Sequence, residues 1–94
     1  MRIVGRSILE AFAVEHADIR PALDAWICEV EEAQWDTPDQ IKARFASASF
    51  LRDNRVVFNL KGNKYRLDTK IAYQTHIVFI VRIGTHAEYE RWDF

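Results

Sequence analysis

The chain of 94 residues is long enough for one modest hydrophobic core and too short for two. Its composition, 49% hydrophobic and 29% charged with three Gly and two Pro, excludes disordered, collagenous and low-complexity classes. The one cysteine, Cys28, excludes an intramolecular disulfide and a cysteine-built zinc site. Because no apolar run has the length of a signal peptide or a membrane span, we expect one soluble cytoplasmic domain over residues 1–94.

The net charge of −1 hides a strong division along the chain. Residues 1–41 carry three basic and nine acidic side chains, a net charge of −6, whereas residues 42–94 carry ten basic and five acidic ones, a net charge of +5. A polyanion such as RNA would therefore meet a positive surface on the C-terminal half. The alternative is that helices and strands simply differ in surface charge, with no ligand involved.

Apolar residues at helical spacing fill the first half of the chain. Ser7 is predicted to cap a first helix and Asp18 a second, which accommodates Pro21 in its first turn. One face of the second helix collects the apolar residues Ile19, Leu23, Trp26, Ile27 and Val30. Thr37 and Gln40 form the pattern of a capping box and predict a third, short helix. Three helices are therefore expected before residue 47.

After about residue 47 the apolar period changes from 3.6 to 2, which is typical of strands. Residues 1–4 fit a short edge strand, and the other predicted strands are residues 49–51, 55–60, 65–73 and 77–83. The stretch 61–64 predicts a hairpin turn in which Gly62 and Asn63 accept positive φ. The almost wholly apolar stretch 77–83 is expected to be the central strand, and 87–92 a short helical or irregular tail. We therefore predict an α+β fold, with N-terminal helices packed on a small, mostly antiparallel sheet.

The candidate chemical groups lie mainly in the second half. His86 follows the last strand and Tyr89 comes three residues later, so an imidazole that transfers protons has a phenol nearby to orient it or to stack on a base. The alternative is a loop histidine beside a packing tyrosine. Arg66 lies on the polar face of its strand. Arg82 interrupts an apolar strand, and is therefore either paired with Asp68 or held for an anionic ligand.

The cysteine and the other two histidines are weaker candidates for a catalytic role. Cys28 lies near the apolar face of the second helix and is followed by Glu29, so we predict a core residue and not a nucleophile. His16 and His76 are predicted to be surface residues. Motifs of phosphate-binding loops, dinucleotide-binding folds and zinc proteases are absent from the sequence.

Two segments carry a family resemblance. Residues 56–67, VVFNLKGNKYRL, resemble the pattern V-F-N-x-x-G-N-x-x-R-L, and residues 83–89, IGTHAEY, resemble its T-H-x-E-Y ending. The chain thus resembles the HigB-type toxins of bacterial toxin–antitoxin pairs, within the RelE-like superfamily. The resemblance covers roughly residues 50–92, while the first 45 residues match mainly in length and helical character.

The resemblance implies a ribosome-dependent endoribonuclease that cuts mRNA in the ribosomal A site without metal or cofactor, using the 2′-hydroxyl of the RNA as nucleophile. It also implies a HigA-like antitoxin, a small helix-turn-helix protein that neutralises the toxin. The alternative is a non-catalytic RNA- or protein-binding module that uses the same basic sheet face.

By resemblance, the catalytic residues are Arg66 as phosphate clamp, His86 as acid or base, and Tyr89 as the residue that orients the nucleotide or stacks on its base. The predicted RNA-binding residues are Asn59, Lys61, Asn63, Lys64, Lys70 and Arg82. Of these, Lys70 and Arg82 are assigned on physical grounds alone. Members of the superfamily commonly use further basic residues on the sheet, whereas the strand position of Asn59 is not basic.

Overall fold

A five-stranded sheet organises the chain, whose computed structural model describes residues 1–94. The strands run in the order β1-β5-β4-β3-β2 and comprise Arg2–Val4, Ser49–Leu51, Arg55–Leu60, Tyr65–Ala72 and Ile77–Thr85 for β1 to β5. Only β1 pairs in parallel, with β5, and the other pairs are antiparallel. The predicted α+β fold is confirmed. The apolar strand β5 is interior, but β4 is the middle strand, so the predicted central position of β5 was wrong.

The helices follow the predicted pattern of apolar residues. They are α1 (Arg6–Glu15), α2 (Arg20–Glu32), α3 (Pro38–Arg44) and α4 (His86–Tyr89), with a 3-10 turn at Ala17–Ile19. The predicted inner face of α2 is confirmed, because Ile19, Leu23, Trp26 and Val30 are all buried in the core against the sheet. No helix has both the length and the apolarity that a bilayer crossing requires.

Two predicted caps were wrong and one was confirmed. The helix α1 begins at Arg6, before Ser7, and Gly5 precedes it with a φ of +102°. A Cβ on Gly5 would lie 3.1 Å from the Cβ of Ile80, so both backbone and space require glycine there. Asp18 lies inside the 3-10 turn and does not cap α2. The capping box of Thr37 and Gln40 is present at the start of α3.

The sheet has a helix-facing side and an open face, which we define as the side turned away from α1, α2 and α3. Side chains of β4 alternate, so that Leu67 joins the core whereas Arg66 and Asp68 lie on the open face. Opposite them on β5, Gly84 pairs with Arg66 and Arg82 pairs with Asp68.

A β-bulge interrupts the β4–β5 pairing. Asp68 is opposite Arg82 whereas Thr69 is opposite Ile80, so Val81 is one residue extra. The bulge lets Ile80 face the core while Arg82 reaches the open face.

The β3–β4 turn differs from its prediction in one detail. The residues with positive φ are Lys61 (+52°) and Gly62 (+64°), and Asn63 is not among them. A left-handed conformation at a lysine is uncommon.

Candidate functional site

The last ten residues cover part of the open face. Thr85 and Glu88 form a capping box that starts α4 where β5 ends. Beyond α4 the chain brings Trp92 against Gly84, where an added Cβ would lie only 2.9 Å from Cζ2 of the indole. Because Gly84 has no side chain, the aromatic residues of this segment approach the sheet closely. We call residues 85–94 the tail.

Arg66 is held in a fixed geometry on the open face. It is 8% exposed, its guanidinium lies 5.2 Å from the ring centre of Tyr89, and Nη1 donates to the carbonyls of Asn63 (2.9 Å) and Tyr65 (3.4 Å). The Nε and Nη2 groups have no hydrogen-bond partner in the protein. Neither nitrogen is completely buried, but Tyr89 covers the guanidinium and leaves little of the side chain open to solvent. Three N–H groups of the guanidinium, on Nε and Nη2, are therefore the donors that suit an anion.

His86 lies beside the same tyrosine. Its backbone N–H donates to the carbonyl of Lys64 at 3.0 Å, and its half-exposed ring lies 6.5 Å from that of Tyr89 between centroids. Nε2 is 2.8 Å from a carboxylate oxygen of Glu90, one helical turn further on. The structure therefore brings Arg66, Tyr89 and His86 together where β4 begins and β5 ends.

Lys61 and Lys64 are engaged in ion pairs on the hairpin. The Nζ atoms of both contact Oδ2 of Asp18, that of Lys61 at 3.1 Å, and the hydroxyl of Tyr65 donates to Oδ1. Hydrogen bonds from Lys64, Tyr65 and Lys61 hold the pKa of Asp18 well below its ordinary value. In turn, the carboxylate of Asp18 raises the pKa of Lys64 and of Tyr65. Sequence reasoning missed Asp18, because it lies more than 40 residues from its partners.

Arg82 forms the ion pair that was one of its two predicted alternatives. Its Nε donates to the fully buried carboxylate of Asp68 at 2.9 Å, and Nη2 donates to the carbonyl of Asp93 at 3.0 Å. The guanidinium lies 4.4 Å from the ring centre of Trp92 and 5.0 Å from that of Phe94. Arg82 is thus held between a buried carboxylate and the aromatic tail.

Arg55 also pairs with Asp68, beside Arg82, and sequence reasoning missed this contact. Its Nε donates to Asp68 at 3.0 Å, which raises the pKa of Arg55, and its guanidinium lies 5.4 Å from the ring of Phe94. The signal that would have found it is the alternation of β3, which puts Arg55, Val57 and Asn59 on one face.

Two of the remaining predicted RNA-binding residues lie next to the site, and Lys70 lies further along β4. Asn59 is paired with Arg66 across β3 and β4, and its amide donates to the carbonyl of Ser47 at 3.1 Å. The side chain of Asn63 is exposed on the hairpin. Lys70 is exposed on β4 and forms no ion pair.

The predicted core position of Cys28 was wrong. The thiol is exposed on α2, 3.9 Å from a carboxylate oxygen of Glu32, because residue 28 falls just outside the apolar stripe. His16 stacks on Phe12 at 4.2 Å and is partly buried, and His76 contacts Asp36 at 2.7 Å. No group of three or more His, Cys, Asp or Glu residues is arranged to hold a metal ion.

The arrangement supports three chemical tasks in one place. The free donors of Arg66 suit phosphate oxygens, the imidazole of His86 can accept or donate a proton, and Tyr89 offers an aromatic surface next to both.

A comparison with protein families found a match over most of the chain. The family model described as HigB_toxin, RelE-like toxic component of a toxin–antitoxin system, matches residues 19–92. The matched stretch contains both resembling motifs and all three residues predicted to be catalytic. A search of curated proteins found no match.

Proposed function

The chain belongs to the HigB family of RelE-like toxins, the toxic components of toxin–antitoxin systems, and on this premise we propose that it is a ribosome-dependent endoribonuclease. In this proposal one toxin domain over residues 1–94 acts in the cytoplasm on mRNA in the ribosomal A site. One arrangement supports the proposal most: Arg66 is held against Tyr89 with its Nε and Nη2 groups unpartnered, and His86 lies beside the same ring.

The proposed reaction needs no metal or cofactor. The 2′-hydroxyl of the RNA attacks the adjacent phosphate, a new P–O2′ bond forms and the P–O5′ bond breaks, so one proton leaves O2′ and one is delivered to O5′. The Nε and Nη2 donors of Arg66 would stabilise the extra negative charge on the phosphoryl oxygens. His86 transfers one of the two protons, with Glu90 2.8 Å from its ring nitrogen to orient it. Tyr89 orients the scissile nucleotide.

The proposed RNA path continues along the open face. Lys70 and the amide of Asn63 are exposed and free to contact the backbone of the RNA. Lys61 and Lys64 are about half-exposed but already paired with Asp18, and Arg82 is about one-third exposed and lies against Trp92 of the tail, so each offers RNA only part of its donors. Asn59 borders the path beside Arg66. These four residues are therefore secondary contacts in the proposal.

The proposed partner is a HigA-like antitoxin of the helix-turn-helix class. Membership of a toxin–antitoxin family supports such a partner. We propose that its binding neutralises the nuclease. The competing function is a non-catalytic module that binds RNA or protein through the same basic face.

Primer extension on translated mRNA after induction of the toxin tests the proposal. The wild type is expected to give discrete cuts, and Arg66→Ala and His86→Ala are each expected to reduce cutting about 10²-fold to 10³-fold, as for loss of one charge-stabilising group. Arg52→Ala is the matched control, because Arg52 is exposed in the β2–β3 turn and forms no ion pair. Intact mRNA with stalled ribosomes would favour the non-catalytic module. Full cutting by both variants would overturn the site assignment.

A further inference from the structure

We propose that Asp18 is a positioning residue that holds the β3–β4 hairpin in the conformation that places both Arg66 and His86. This inference rests on the proposed nuclease function, in which those two side chains act on the RNA.

The hairpin carries the backbone groups that fix the two candidate catalytic residues. The carbonyl of Asn63 accepts from Nη1 of Arg66 at 2.9 Å, and the carbonyl of Lys64 accepts from the backbone N–H of His86 at 3.0 Å. These two carbonyls are neighbours in sequence. A rotation of the hairpin would therefore displace the guanidinium and the start of α4 together.

Asp18 ties this hairpin to the helical layer. Its Oδ2 accepts from Lys61 on one side of the turn and from Lys64 on the other, and its Oδ1 accepts from the hydroxyl of Tyr65. One carboxylate thus joins both limbs of the hairpin.

The hairpin backbone needs such a restraint. Lys61 has a φ of +52°, which an L-residue with a long side chain seldom adopts without support. Lys64 N–H also donates to the carbonyl of Lys61 at 3.2 Å across the turn. A further support is aromatic, since the ring of Tyr65 lies 5.5 Å from that of Phe12 and 5.6 Å from that of His16, both edge-on. Asp18 follows His16 closely in the chain, so the carboxylate and the aromatic contacts hold the hairpin at the same corner of the molecule.

A positioning role of Asp18 and a direct RNA-binding role of Lys61 and Lys64 predict opposite results for Asp18→Asn. If the carboxylate positions the hairpin, its loss lowers the maximal rate of cleavage and leaves ribosome affinity unchanged. If the carboxylate only masks Lys61 and Lys64, its loss frees two cations and strengthens RNA binding.

The test compares Asp18→Asn with Glu15→Gln, which removes the same charge from an exposed residue of α1 that forms no ion pair. Single-turnover cleavage on programmed ribosomes gives the maximal rate and the half-saturating ribosome concentration. We expect Asp18→Asn to lower the maximal rate about 10-fold to 100-fold, as for a small misplacement of reacting groups, with half-saturation within twofold of wild type. Glu15→Gln is expected to leave both quantities unchanged.

Nuclear magnetic resonance gives a readout that does not depend on activity. The backbone N–H of His86 and the Nε–H of Arg66 are expected to shift in Asp18→Asn and in Lys64→Met, and the double variant is expected to resemble the single ones. Unshifted resonances, or tighter ribosome binding at the full rate, would overturn the positioning role. An inactive wild type whose resonances still shift in the variants would overturn the nuclease proposal and leave the positioning of the hairpin in place.

Discussion

The two faces of the sheet are stabilised by different kinds of contact. The helix-facing side is filled by apolar side chains such as Phe58, Leu67 and Ile71 under the helices. The open face holds Arg66 and a cluster of Arg55, Arg82 and buried Asp68, all beneath an aromatic tail. Burial of apolar side chains on the helix-facing side is non-directional and tolerates change in geometry. The contacts of the open face, in contrast, depend on the distances between paired charges and on the positions of the aromatic rings. The difference indicates that stability resides mainly in the helix-facing side, whereas the open face carries the candidate catalytic residues.

The largest expected effect is on the helix-facing side. Trp26 is 2% exposed and its ring packs edge-on against Phe58 at 5.3 Å, so Trp26→Ala is expected to cost about 3–5 kcal/mol of unfolding free energy. Urea unfolding measures this loss. Trp26→Phe is expected to cost much less, since it also removes the buried Nε1–H that has no partner. Val14→Ala is the control, because Val14 is 81% exposed, and a cost above about 0.5 kcal/mol there would contradict this picture.

The next-largest loss of stability is expected from a substitution that breaks the charge cluster of the open face. Asp68→Asn leaves Arg55 and Arg82 facing each other without a carboxylate, and we expect a loss of about 2–4 kcal/mol, since both arginines are still partly exposed. Thermal and urea unfolding measure it. Glu15→Gln on α1 is the control, because Glu15 is exposed and forms no ion pair. Equal stability of the two variants would show that the cluster contributes little.

A smaller loss of stability is expected from a substitution that separates the tail from the sheet. Gly84→Ala places a Cβ 2.9 Å from Trp92, so we expect a cost of about 1–2 kcal/mol and faster hydrogen exchange in residues 89–94. Cleavage is expected to fall as well, because the tail carries Tyr89. Gly62→Ala is the control: an added Cβ there meets no atom within 4 Å, although its φ of +64° is strained. Exchange in the tail that rises equally in both variants would rule out the contact with Trp92 as the cause.

The smallest effect is a pH dependence at the hairpin. Because its hydrogen bonds lower the pKa of Asp18 in the folded state, this carboxylate stabilises the fold above its ordinary pKa of about 3.9 and the stabilisation is lost as the pH falls through the lower folded value. The difference in melting temperature between wild type and Asp18→Asn should therefore be constant near pH 6 and shrink in acid. A difference that stays constant down to pH 2 would contradict the assignment.

Local patterns predicted the helix-facing side well. The apolar stripe of α2, the capping box at Thr37 and the strand from Arg55 to Leu60 all follow from residue spacing. The caps at Ser7 and Asp18 failed because a left-handed glycine and a 3-10 turn start those helices.

Fewer contacts of the open face could be predicted from the sequence. The motif residues Arg66, His86 and Tyr89 were found, and the structure groups them, but their assigned roles stay predictions. The contacts of Arg55 with Phe94 and of Lys64 with Asp18 join residues far apart in the chain, for which no local pattern exists. In β5 the extra residue Val81 interrupts the alternation that would have shown which way Arg82 faces.

That extra residue also limits how the length of β5 can change. With Val81 removed, Ile80 and Arg82 would be consecutive and would still face opposite sides, opposite Thr69 and Asp68, so the facing of the other residues would be kept. Removal of Ile83 instead would move Gly84 opposite Leu67, and the seat for Trp92 would be lost. The length of β5 can therefore change by one residue at the bulge, and other gaps in alignments of related chains belong in the turns that flank this strand.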